Sequence, residues 1–171
     1  VGPVMLISAL LASMMSIQNI FKPDYINGTL EQMMITTNSF SALIAVKIMM
    51  FWMIFSMPLI LMACFIVSTY YVEGFSMFTV VLTLILSTLS LVNLSAFAAS
   101  LTLAIRNPGA LISIIVIPLS LPIIIFGSKA IELSIVSMDN SGPLYFLTGM
   151  MFFTCSLGPV VTASAIKISI D

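Results

Sequence analysis

The sequence predicts an all-α integral membrane protein that crosses the bilayer about five times. Three observations carry this reading. Of 171 residues, 61% are hydrophobic and only 6% charged, whereas a soluble domain needs roughly a quarter of its residues charged to keep its surface wet. Five apolar runs follow one another, each near the ~20 residues that a helix needs to cross hydrocarbon. Charges fall between the runs, with Lys47 the one exception.

The first span is read over 3–21, with Ser8, Ala9, Ala12 and Ser13 as small residues suited to close helix packing. Lys22, Pro23 and Asp24 are expected to end it, and a polar stretch to Ser41 follows. The second span, 43–69, contains Pro58 and is long enough to tilt, kink or project from the membrane. Glu73 and Gly74 mark the next loop, and the third span runs 77–105. Arg106-Asn107-Pro108-Gly109 is a strong turn signal. The fourth span, 111–127, holds Pro118 and Pro122. A more polar connection, 128–143, carries Lys129, Glu132 and Asp139. The fifth span, 144–166, is interrupted by Gly158-Pro159. The whole chain, 1–171, reads as a single transmembrane domain without internal repeats.

Orientation follows from the basic residues. With the Asp24–Ser41 loop in the cytoplasm, Lys22, Lys47, Arg106 and Lys167 lie on that side and Lys129 alone lies outside. Lys47 then sits about a turn inside the second span and is expected to snorkel to the cytoplasmic surface.

The residue inventory excludes several chemistries. No glycine stands in the G-x-x-x-x-G-K-[ST] phosphate cradle, so ATP-driven work would have to come from a partner. There is no histidine, the usual axial ligand of haem iron. Cys64 and Cys155 lie in separate apolar runs and form no metal-binding or disulfide pattern. A net charge of -1 leaves no basic face for nucleic acid. No catalytic, cofactor-binding or metal-ligating residue is assigned. The middle of each span lacks the ionisable groups that proton or sodium coupling needs. Asn93 is the one strongly polar side chain deep in a span. It reads either as an interhelical hydrogen bond, with Ser90 and Ser95 as neighbours, or as a substrate contact.

The first loop carries the clearest constellation. Thr29-Leu30-Glu31-Gln32 fits a capping box with Thr29 as cap, predicting a short helix over 29–35. Leu30, Met33 and Met34 fall on one stripe of that helix. Exposed, such a stripe would enter a groove in a partner protein. A helix resting on lipid is the alternative, less suited because Glu31 is present without Lys or Arg. Gly28, Thr29, Leu30, Glu31, Gln32, Met33 and Met34 are therefore the candidate partner-binding residues.

These residues also carry a resemblance. Asp24…Gly28-Thr29-Leu30-Glu31-Gln32-Met33 is similar to the cytoplasmic loop of the CcmB family, the membrane subunit of the cytochrome c maturation ABC transporter. Ala45-Val46-Lys47 with Trp52, Ile112-Ser113-Ile114…Ile117-Pro118-Leu119…Pro122-Ile123…Phe126 and Ser156-Leu157-Gly158-Pro159…Ala165-Ile166-Lys167-Ile168-Ser169-Ile170 resemble its later helices in the same order. The family has six spans; its first helix is not represented here, and the sequence reads as truncated before Val1. The resemblance implies an ABC-2-like permease fold with a short cytoplasmic coupling helix at Thr29 to Ile35. It implies a CcmA-like ATPase as partner, supplying ATP and Mg, CcmC-like and CcmD-like membrane subunits, and indirectly the haem chaperone CcmE, with haem handled by those partners. The complex would release haem-loaded chaperone, historically described as haem export. A homodimer of the permease is compatible with this, as are the inner membranes of a bacterium and of a mitochondrion. The rival readings are a secondary transporter or passive pore needing no ATPase, and a structural scaffold.

Overall fold

A computed structural model describes residues 2–69, 74–105, 109–136 and 138–170. Among them the chain forms six helices and no strands: α1 (Gly2–Ile26), α2 (Thr29–Thr36), α3 (Phe40–Thr69), α4 (Gly74–Leu101), α5 (Gly109–Ile135) and α6 (Ser141–Ile170). All-α architecture is one of the two that lipid permits, because a helix satisfies its own backbone hydrogen bonds. Four helices are long and apolar enough to cross a bilayer: Phe40–Phe65, Met77–Leu101, Gly109–Ile135 and Ser141–Ser169. α1 has the length, 25 residues, but is not one of those four. The side chains of Pro3, Met5 and Gln18 within it are not described.

α4 is the hub. In its apolar stretch 67% of residues are buried, against 17–22% in the other three spans, and it contacts α1, α3, α5 and α6. Its sequence explains this. Thr83, Ser87, Ser90, Ser95, Ala96, Ala98, Ala99 and Ser100 are small and buried. Hydrocarbon gives apolar side chains no reason to leave it, so helices associate where small residues let backbones come close and polar groups bond. Trp52 Nε1 donates to Thr88 Oγ1 at 3.1 Å, fastening α3 to α4. Ser13 and Ser95 hydroxyls meet at 3.5 Å between α1 and α4.

Several helices outrun their expected ends. α1 continues through Pro23, whose carbonyl accepts from Asn27 N at 3.0 Å. It stops at Gly28, whose φ of 70° lies in the left-handed region that glycine adopts without cost. α5 runs on to Ile135 because Ile123, Gly127, Ala130, Ile131 and Ser134 prolong one buried stripe. Its polar residues Lys129 and Glu132 sit three apart on the exposed face and pair at 3.0 Å. α6 starts earlier than expected, at Ser141, where Asp139 Oδ1 accepts from Ser141 N at 3.0 Å. That backbone donor, with the Ser141 hydroxyl behind it, holds the exposed Asp139 carboxyl below the ordinary Asp range. Pro58, Pro118, Pro122 and Pro159 all lie within continuous helices, so the break expected at Gly158-Pro159 is absent. α4 ends earlier, at Leu101, and residues 102–104 form a turn. Glu73 and Arg106-Asn107-Pro108 lie outside the described residues.

Tyr25 Oη donates to Ser169 O at 3.4 Å, and Ser169 Oγ to Ser100 O at 3.4 Å. The ends of α1, α4 and α6 therefore share one face of the bundle. The start of α3 joins them: Asn38, Ser39, Phe40 and Ser41 line a pocket with Lys167 of α6. The side on which the sequence placed Lys22, Lys47 and Lys167 is one physical surface.

Candidate functional site: the α2 helix and a pocket at Asn93

α2 is held by its interior residue. Leu30 is fully buried, and Met33 and Met34 are half-buried against the main core cluster. The exposed Leu/Met stripe expected from the sequence is thus turned inward. Its apolar side chains find the bundle itself before any partner. Leu30 anchors α2 in the core cluster, and α1 is the helix that α2 contacts most. What α2 shows outward is Glu31, Gln32, Ile35 and Thr36, with Ile35 86% exposed. The expected capping box is also corrected. The cap is Gly28, not Thr29, and no side chain caps the helix. Gly28 accepts from Gln32 N through its carbonyl at 3.4 Å and donates its own N–H to Tyr25 O at 3.3 Å. One left-handed residue closes α1 and opens α2, which leaves Thr29 as the first helical residue.

Next to this turn, Asp24 of α1 forms an ion pair with Lys47 of α3. Both side chains are about three-quarters buried. Phe21 adds its ring, with Lys47 Nζ 5.7 Å from the centroid. Lys47 lies seven residues into α3, about 10 Å along it. Its ammonium does not stand free: it reaches the Asp24 carboxylate near the end of α1, where the pair lines an open pocket with Asn19, Pro23 and Phe51. The spacing gave no hint of this partner, because Asp24 looked like part of a helix terminus. Asp24→Ala is expected to cost about 1–3 kcal/mol, because removing one partner strands a largely buried ammonium. A double-mutant cycle of Asp24→Ala and Lys47→Met, followed by thermal unfolding in mild detergent, checks it. The double variant is expected to be more stable than Asp24→Ala alone. Additive losses would contradict the pairing.

Asn93 joins α4 to α6. Its Nδ2 donates to Leu89 O at 2.9 Å within α4 and to Cys155 Sγ at 3.6 Å across the interface. The interhelical bond thus exists, but Ser90 and Ser95 take no part in it. Ser90 Oγ donates to Leu86 O at 2.9 Å, and Ser95 meets Ser13. Asn93 also faces Gly158, where an added Cβ would come 3.0 Å from Oδ1. Both residues line a pocket of about 230 Å³ together with Phe97, Leu119 and Phe153. Sequence reasoning marked Asn93 but missed Gly158 and Cys155, which are 65 and 62 residues away. Among the described residues, no group of three or more metal-ligating side chains converges.

Comparison with known proteins agrees with this architecture. The family model described as CcmB protein matches residues 1–169. Heme exporter protein B of Haemophilus influenzae is 33% identical over 165 residues, covering 96% of this chain and 75% of the relative. The proteins of the same name in Escherichia coli and Pseudomonas aeruginosa are 30% and 28% identical, with 96% of this chain and 75% and 74% of the relative covered. With the match running through α2, the Asp24–Lys47 pair and the Asn93 contact, this multi-pass membrane chain belongs to the CcmB family.

Proposed function

We propose that this chain is the permease subunit of an ABC complex for cytochrome c biogenesis in an inner membrane. A CcmA-like ATPase docks on α2, and its hydrolysis cycle drives release of a haem-loaded chaperone of the CcmE type on the opposite side. CcmC-like and CcmD-like membrane subunits complete the complex. The relatives' name, heme exporter protein B, points to haem as the cargo of the system. This chain has no histidine to ligate haem iron. Release, with haem held by partners, suits these residues better than passage through them.

One observation carries the reading: α2 is fastened inward by Leu30 while Glu31, Gln32 and Ile35 face outward. A surface helix with a firm anchor transmits a push, because force on its outer face reaches α1. From α1 the Asp24–Lys47 pair passes it to α3, which lies against lipid for most of its length. Rigid helices of 25–30 residues then act as levers across the membrane.

The test is affinity purification in mild detergent from cells that contain the whole complex. Glu31→Lys is expected to lower the copurified ATPase at least tenfold while the melting temperature of the chain stays put. ATPase recovered at the unmodified level would remove α2 from the interface. A hydrolysis-dead partner separates this role from a scaffold: coupling requires cytochrome c maturation to stop, whereas a scaffold lets it continue.

A further inference from the structure

The pocket at Asn93 carries an inference independent of the ATPase. The orientation of the Asn93 amide is fixed by chemistry. Leu89 O can only accept, so the amide nitrogen must face it. The carbonyl Oδ1 is thereby turned toward Gly158 and the pocket. Oδ1 makes no hydrogen bond among the described residues, although Asn93 is only 3% exposed. An amide acceptor left unpaired in hydrocarbon costs about 1–3 kcal/mol, and no water is at hand there to relieve it. The site lies eight residues before the end of α4, about 12 Å into the span.

The rest of the lining is apolar save for Thr154, whose hydroxyl already donates to Met151 O at 3.1 Å. Phe97 and Phe153 supply aromatic walls, and Leu119, Phe153, Leu157 and Val161 are exposed on the outer face of the bundle, where lipid lies. At about 230 Å³ the space falls below the ~300 Å³ of a drug-sized site and suits a single ring.

We propose that this pocket binds a membrane-dissolved aromatic alcohol, of the phenol or hydroquinone kind, which enters from lipid and donates its O–H to Asn93 Oδ1. A plain acyl chain fills the volume equally well but leaves the acceptor unpaired, which is why the donor-bearing ring is favoured. Gly158 is what keeps the mouth open beside the carbonyl, since a side chain there would press on Oδ1.

The experiment uses the chain in phosphatidylcholine nanodiscs with two radiolabelled probes, 4-hexylphenol and its methyl ether, 4-hexylanisole. They differ in the O–H donor and in the one methyl that replaces its hydrogen, so a preference for the phenol counts only if it is lost in Asn93→Leu. Binding to empty nanodiscs is subtracted. Saturable binding of the phenol, about tenfold tighter than the ether, is expected, that ratio being the worth of one buried hydrogen bond. Asn93→Leu is expected to bring the two probes to equal affinity. Leu119→Trp fills the pocket from the lipid side without touching Asn93. It is expected to abolish saturable binding of both probes while the melting temperature is unchanged. Equal affinities in the unmodified chain would mean an acyl-type cavity and overturn the proposal. So would the absence of saturable phenol binding, a phenol preference that survives Asn93→Leu, or binding that survives Leu119→Trp.

Discussion

Gly127→Leu is expected to destabilise the bundle by about 3 kcal/mol, at the upper end of overpacking penalties. Gly127 lies where α5 meets both α1 and α4. A Cβ there would come 2.8 Å from Leu6 Cδ1 and 2.9 Å from Ser87 Oγ. Both neighbours are fully buried, so neither can swing into lipid. A single methyl, in Gly127→Ala, forces the ends of two side chains to shift and is expected to cost about 1 kcal/mol. The three further heavy atoms of leucine would have to push α5 off its neighbours. Thermal unfolding in mild detergent checks this, and Leu6→Ala in the same chain should return much of the loss by vacating the nearest contact. A Gly127→Leu chain that melts with the unmodified protein would show that the α1–α4–α5 junction is looser than described.

Leu30→Asp is expected to release α2 from α1, at a local cost of at least about 3 kcal/mol. The change removes a fully buried leucine and asks a carboxylate to take its place without a partner. The molecule escapes the penalty by undocking α2 rather than by unfolding its spans. Backbone amides of residues 29–36 should therefore exchange with solvent about a hundredfold faster, the ratio that corresponds to ~3 kcal/mol, while those of α4 hold. Leu30→Met keeps the shape of the anchor and should leave exchange near the original rate. Unchanged protection in Leu30→Asp would place the anchor elsewhere. The variant also has a bearing on partner binding. It is expected to weaken ATPase association through loss of the anchor, unlike Glu31→Lys, which acts on the outward face of an intact helix.

The helices were legible because lipid makes hydropathy nearly sufficient. Long apolar runs with few charges mark candidate spans, and α3 to α6 follow them, while α1, equally long, is not among the four. Their ends were less legible. Pro23 and Gly158-Pro159 read as breaks, yet neighbouring helices let a proline sit in a continuous helix within the membrane. Lys129 and Glu132 read as a loop because their polarity hid the buried stripe through Ala130, Ile131 and Ser134. The site divides the same way. The existence of α2 was legible from local spacing, but which of its faces pointed outward was not. An i, i+3, i+4 stripe says that a face is apolar, not whether the chain's own bundle or a partner covers it. Ile35, on the other side of that stripe, was the available signal for an outward apolar contact. Asp24 with Lys47, and Asn93 with Cys155 and Gly158, are contacts between segments far apart in sequence, and no periodicity reports those.

The proposed function depends on the outward face of α2 being the place where a partner ATPase's energy enters. The most direct measurement places a photo-crosslinking amino acid at Ile35, and in a second chain at Leu30, within cells that assemble the complex. With α2 seated as described, Ile35 should crosslink to the ATPase subunit in high yield. Leu30, facing α1 and the core, should give no crosslink to another protein. An Ile35 probe that captures lipid alone, in a complex from which the ATPase still copurifies, would contradict the account and move the point of coupling away from this helix.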